Sequence, residues 1–95
     1  MAVCASWQLR ARTGAQRVVE VVVEDGAYGY RCVGVRNSKR TGTVWFYISA
    51  SREEAMADAG RAVEELCASR FRLTGHSVRP VLDLQQSSMV YQVVF

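Results

Sequence analysis

An Asp25-Gly26 pair between two strand-like runs constrains this chain more than any other feature of its sequence. The run before it, Arg17–Glu24, is rich in valine, whose branched side chain loses χ1 freedom in a helix. The run after it, Tyr28–Arg36, also has strand character. Asp-Gly provides the positive φ angles that both positions of a type I′ turn require. The sequence therefore predicts a β-hairpin in which Glu20 faces Arg31, a favourable opposite-charge pair.

Two further strands flank this hairpin. Ser6–Arg12 alternates apolar and polar residues, which is typical of a half-buried strand. Thr43–Ser49 is predicted as the third long strand, after a six-residue loop over Asn37–Gly42. Pairing Arg36 with Thr43 would lay the ring of Trp45 over Gly34, although a loop of this length does not fix register tightly.

The second half of the chain begins with a helix signal. Ser51-Arg-Glu-Glu54 has the pattern of a capping box, and small apolar residues follow at helical spacing. We expect this helix to stop near Arg70. The segments His76–Leu84 and Met89–Phe95 are predicted as a final pair of strands around residues 85–88.

Length and composition agree with one small domain spanning residues 1–95. Of the 95 residues, 49% are hydrophobic and 22% are charged, which is close to the average for globular proteins. The predicted order is β-β-β-β-α-β-β. One helix among antiparallel strands indicates an α+β two-layer sandwich with about five or six strands.

Several classes of function are disfavoured by the residues present. Three cysteines without CxxC spacing argue against a disulfide framework and a zinc site, and favour a reducing compartment. The N-terminus lacks a signal-peptide pattern and no apolar run reaches membrane-helix length, so we expect a cytoplasmic protein without membrane contact. Catalysis has little support, because His76 is the only histidine and Cys67 its one conceivable partner in a dyad. We expect no enzyme activity, no metal and no cofactor.

The two faces of the predicted sheet differ in chemistry. One is almost purely aliphatic and should lie under the helix; it carries Val18, Val22, Val33, Val35, Val44, Phe46 and Ile48. The other carries Tyr28, Tyr30, Trp45 and Tyr47, residue types that are frequent in binding hot spots. Three readings of the aromatic face stay open: a partner-binding surface, a core covered by other strands, and a homodimer interface.

The leading hypothesis is a small non-catalytic protein that occupies the surface of another protein. Its predicted contact residues are Tyr28, Tyr30, Arg36, Lys39, Arg40, Trp45 and Tyr47. Inhibitors from phages and mobile elements, such as anti-CRISPRs, offer an analogy of size alone. One alternative is a nucleic-acid-binding domain in which Arg36, Lys39 and Arg40 of the predicted hairpin loop bind phosphates and Trp45 stacks on bases. A structural homo-oligomer is the other alternative.

Overall fold

The computed structural model describes residues 1–79, which form one antiparallel sheet and one helix. The strands are β1 (Ala2–Ala11), β2 (Gln16–Glu24), β3 (Ala27–Arg36), β4 (Lys39–Ser49) and β5 (Phe71–Val78), with helix α1 (Arg52–Ala68) before β5. The sheet order is β4-β3-β2-β1-β5, so β4 and β5 are the edge strands. This architecture confirms the predicted α+β sandwich. The predicted strand Met89–Phe95, the loop before it and residues 80–84 of the predicted strand His76–Leu84 lie outside the described residues.

The β2–β3 hairpin has the predicted register. Asp25 and Gly26 both have positive φ, 52° and 79°, as a type I′ turn requires. Val19 pairs with Cys32, and Glu20 pairs with Arg31, along a ladder that runs without a bulge. The local turn chemistry is therefore sufficient to align these two strands.

The predicted six-residue loop after β3 is wrong. The chain reverses in a two-residue turn at Asn37 and Ser38, whose φ angles are 51° and 64°, and β4 already begins at Lys39. Two register shifts follow, so that Trp45 pairs with Cys32 instead of Gly34. From Trp45 onwards the difference from the predicted register is two residues, which keeps these side chains of β4 on the predicted face.

Helix α1 begins as predicted, because the Ser51 side chain accepts a hydrogen bond from the Glu54 amide. It ends at Ala68, and Arg70, with φ of 107°, reverses the chain directly into β5. Strand β5 therefore starts at Phe71, five residues before the predicted start at His76. It pairs with β1, which makes β1 an interior strand.

The helix covers the opposite face from the one predicted. Its buried residues, Ala55, Ala59 and Val63, pack with Val19 and Val21 on the side of the sheet that also carries the aromatic residues. The reason is the pairing of β1, which adds a large apolar area to that side; its contributions are Ala5, Trp7 and Leu9. The prediction compared only three strands. The aliphatic side, from Val18 to Ile48, is not covered by α1.

Candidate protein-binding site

The exposed apolar residues of the described chain concentrate on β4. The side chains of Val44, Phe46, Tyr47 and Ile48 are 55%, 48%, 56% and 77% exposed. We call the segment Val44–Ile48 the β4 edge surface. An edge strand presents a row of unpaired backbone groups, and natural proteins usually protect it with charges, proline or bulges. The two bulges of β4 fall at Thr41 and at Val44, the first residue of this segment, so the ladder is regular from Trp45 to Ser49.

Three aromatic rings form the helix-facing side of this surface. Ring centroids are 5.5 Å apart for Tyr30 and Trp45, 5.4 Å for Tyr30 and Tyr47, and 5.7 Å for Trp45 and Tyr47. These separations fall in the range of favourable aromatic pairs. The rings form one wall of a shallow groove, and the other wall is formed by Ala62, Glu65 and Leu66 of α1 with the C-cap residue Ser69. The cluster fixes the rings in place while Tyr47 stays open to solvent.

The other side of the surface depends on a glycine. Ile48 pairs with Gly29 across the β3–β4 ladder, and the ring of Phe46 packs over the same glycine. A Cβ at position 29 would lie 2.6 Å from the backbone oxygen of Tyr47 and 3.0 Å from the ring of Phe46. Because Gly29 has no side chain, Phe46 can lie flat there, and Ile48 has no cross-strand side chain to cover it.

Glu20 is the buried charge nearest to this region, and it explains the position of Arg40. The Glu20 carboxylate is 2% exposed and accepts hydrogen bonds from Arg31 at 3.0 Å and from Arg40 at 2.9 Å. Burial is the largest single influence and raises the pKa of Glu20, but the hydrogen bonds and charges of Arg40 and Arg31 outweigh it, so the pKa is lowered overall. The bond to Glu20 raises the pKa of Arg40.

The three cations among the predicted contact residues, Arg36, Lys39 and Arg40, therefore lie in two different places. Arg36 and Lys39 pair with each other across the two-residue turn and are exposed. Arg40 extends over the open face of the sheet to Glu20, away from the aromatic rings. The predicted residues thus fall into an aromatic group beside the helix, a turn pair, and a structural arginine.

Not all the predicted aromatic residues are equally accessible. Tyr28 and Tyr30 are half-buried and pack against the core, as does Trp45, whereas Tyr47 is exposed. Sequence reasoning assigned Phe46 and Ile48 to the helix-covered core and so missed them as surface residues. The signal that identifies them is the position of β4 at the sheet edge, which depends on the pairing of all five strands.

The conceivable catalytic residues are dispersed. Cys4 and Cys32 are buried, and burial raises the pKa of both thiols. Cys67 is exposed. His76 stacks on Trp7 with ring centroids 4.7 Å apart. Within residues 1–79, no group of three or more His, Cys, Asp or Glu side chains is arranged to hold a metal ion.

Comparison with protein-family models, curated proteins and solved structures finds no match to this chain. The described residues contain no helix of the length and apolarity that crossing a membrane requires.

Proposed function

We propose that this protein is a non-catalytic binding domain that accepts an extended strand of another protein along β4. The observation that carries the proposal is an edge strand with exposed apolar side chains on both of its faces: Tyr47 beside the helix, and Phe46 and Ile48 on the opposite side. Strand addition to a sheet edge obtains affinity from main-chain hydrogen bonds and specificity from alternate side chains. Aromatic side chains beside the edge provide the large contact area typical of binding hot spots.

The chemistry of the partner follows from the composition of β4 along its length. The C-terminal half of β4 is apolar, whereas Lys39 and the neighbouring Arg36 place two exposed cations beside its N-terminal end. In antiparallel pairing, the partner strand runs from Ile48 towards Lys39. We therefore propose a partner segment whose β-branched or aromatic residues come first and whose acidic residues follow.

A second copy of the chain fits this edge less well. The register that matches the two apolar segments is centred on Phe46, with Val44 of one copy opposite Ile48 of the other. In this register Thr43 pairs with Ser49, and beyond Ser49 each chain leaves the sheet for α1. The N-terminal half of β4 would stay unpaired, whereas an independent strand can follow the whole edge.

The test begins with selection of random 12-residue peptides displayed on phage against the immobilised protein. A selected peptide is then synthesised, and its Kd is measured by fluorescence anisotropy. The variant Phe46→Lys places a charge on the proposed edge, and Leu73→Lys is its matched control on the other edge strand, with a parent side chain equally exposed at 49%. We expect Phe46→Lys to weaken binding by at least about tenfold, as loss of a hot-spot residue does. Leu73→Lys should leave the Kd nearly unchanged.

Two outcomes would contradict the proposal. A peptide whose alternate backbone amides are methylated along one edge cannot complete a ladder, and undiminished binding of that peptide would exclude strand addition. The second contradicting outcome is measured by light scattering of the pure protein. A dimer that Phe46→Lys dissociates would assign the β4 edge surface to self-association. Thermal unfolding of each variant checks that a loss of binding is not a loss of fold.

A further inference from the structure

The positive charges of this protein gather at one end of the sheet. Four parts of the chain meet at this end: the end of β1, the turn before β2 at Gln16, the turn before β4 at Lys39, and the start of β5. Seven cations lie at this place, which we call the basic end: Arg10, Arg12, Arg17, Arg36, Lys39, Arg70 and Arg72. The acids of the β2–β3 turn and of the first turn of α1 lie at the opposite end. Glu64 and Glu65 lie near the C-terminal end of α1, towards the basic end, and within the described chain they form no ion pair with its cations.

The basic end has no internal neutralisation in the part of the chain that the structure describes. The ion pairs within residues 1–79 join Arg31 and Arg40 to Glu20, Arg61 to Asp58, and the N-terminus to Glu24. None of the seven cations belongs to these pairs. This distinguishes them from Arg31 and Arg40, whose charges are already used by a buried carboxylate.

Two of these cations are held in direct opposition. Arg10 of β1 and Arg72 of β5 are paired residues of the ladder, so their side chains project from the same face of the sheet. Like charges opposite each other destabilise a sheet. A bound anion would relieve this repulsion, so anion binding would stabilise the folded chain.

Six of the seven cations line two neighbouring grooves. Arg10, Arg17 and Arg36 line one groove between the two turns, together with the polar residues Thr13, Gln16, Asn37, Ser38 and Thr41. Arg10 also lines a neighbouring groove that holds Arg12, Arg70 and Arg72. The shared Arg10 joins the two grooves. Across the five strands, four spacings of roughly 4.8 Å give the strip a length of about 19 Å.

We infer that the basic end binds the phosphodiester backbone of nucleic acid, independently of sequence. Guanidinium groups bind phosphate oxygens bidentately, and the hydroxyls of Thr13, Ser38 and Thr41 add hydrogen-bond donors. Because the cations form a row, the ligand they fit presents anions in a row, as a duplex does with about one charge per 1.7 Å of axis. Phe71, the aromatic residue of this strip, has Arg17 over its ring at 5.4 Å, which favours backbone contact over base stacking.

This site is separate from the β4 edge surface. The edge surface occupies Val44–Ile48, whereas β4 contributes Lys39 and Thr41, near its start, to the basic end. The charge-removing variants that test the basic end leave Phe46 and Ile48 unchanged, and they also keep Arg36 and Lys39, the two cations that both proposals use. The peptide assay and the nucleic-acid assay can therefore fail independently.

The test is fluorescence anisotropy with a labelled 20-base-pair duplex, a 20-nucleotide single strand and a labelled polyglutamate, each titrated at several salt concentrations. We expect the duplex to bind with a Kd on the order of 10 μM at 50 mM salt, and polyglutamate to bind at least about tenfold more weakly. The double variant Arg10→Gln/Arg72→Gln should lose about tenfold in affinity. It should also reduce the salt slope by about 1.8, the value for two phosphate contacts.

The control variant Arg61→Gln/Arg79→Gln removes the same charge from exposed positions outside the basic end, and it should keep most of the duplex affinity. Three results would overturn the inference. They are absence of duplex binding at about 100 μM protein and 50 mM salt, an equal loss of affinity in the control variant, and polyglutamate binding as tight as that of the duplex. The last would assign the basic end to an acidic protein segment. A tighter complex with the single strand than with the duplex would keep the phosphate site and change the form of the ligand.

Discussion

Glu20 and Arg40 form an ion pair that crosses over the strand between them. Glu20 lies on β2 and Arg40 on β4, and their side chains meet above Arg31 of β3, which donates to the same carboxylate. A buried carboxylate is tolerated only where such donors satisfy it. The pair therefore fixes the first half of β4 against the sheet, in the region where two bulges interrupt the ladder.

The Glu20 cluster should make stability depend on acidity. The pKa of Glu20 in the folded chain lies below its ordinary value of 4.5, because the arginine hydrogen bonds outweigh burial. Stabilisation is therefore complete above pH 4.5 and is lost as the pH falls through the lowered pKa. Arg40→Ala should reduce the free energy of unfolding by about 1.5 kcal/mol at neutral pH. Urea unfolding between pH 2.5 and 7 should also show a shallower acid slope for this variant, and an unchanged slope would contradict the assignment.

Gly29 should resist substitution because two groups of β4 occupy the space of a side chain. One of them, the Tyr47 carbonyl oxygen, is backbone and cannot rotate away. We expect Gly29→Ala to lower the free energy of unfolding by about 1–3 kcal/mol, as overpacking does. Gly60→Ala is the matched control, since its added Cβ meets nothing within 4 Å in the middle of α1. The control should raise stability by about 0.5–1 kcal/mol, and chemical denaturation measures both.

The turn between β3 and β4 should become more stable when glycine replaces Ser38. Ser38 has φ of 64°, a conformation that costs an L-residue roughly 1 kcal/mol and that glycine adopts freely. Ser38→Gly should therefore stabilise the protein by up to about 1 kcal/mol. Gly42→Ala should destabilise it by about 1 kcal/mol or more, because Gly42 has φ of 132°. Unfolding midpoints test both, and a destabilising Ser38→Gly would argue for a longer loop at this place.

Relief of the repulsion between Arg10 and Arg72 should be measurable without any ligand. Arg72→Gln should raise the free energy of unfolding by about 0.3–0.5 kcal/mol at 20 mM salt, the size of a like-charge cross-strand effect. The gain should shrink at 0.5 M salt, where exposed charges are screened over a few ångströms. Denaturant titrations at the two salt concentrations make the comparison. A gain that persists at high salt would indicate another cause than charge.

The sequence predicts this fold well where the signal is local. Asp25-Gly26 sets the β2–β3 register, and Ser51 starts the helix, because each depends on residues only a few positions away. Asn37-Ser38 was missed as a two-residue turn since it lacks the glycine that normally marks one. The polar stretch up to Gly42 therefore resembled a loop.

Features that depend on distant pairing were less accessible to prediction. The choice of the helix-covered face depends on β1, whose Trp7 pairs with Val19, and on the addition of β5 at the far side of β1. The basic end likewise requires the register that places Arg72 opposite Arg10. Long-range strand pairing leaves no local pattern in the chain, so the arginines from different segments look unrelated until the sheet is assembled.

The proposed function depends most directly on the claim that the outer edge of β4 is unpaired in the free protein. Amide hydrogen exchange resolved by NMR tests it, under conditions where light scattering finds a monomer. In β4, alternate amides point towards β3 and the others point away from the sheet. We predict alternating slow and fast exchange along Thr43–Ser49, with the fast amides becoming protected when a selected peptide is added. Slow exchange of every amide in this segment of the free monomer would show that the edge is already paired, and would contradict the account.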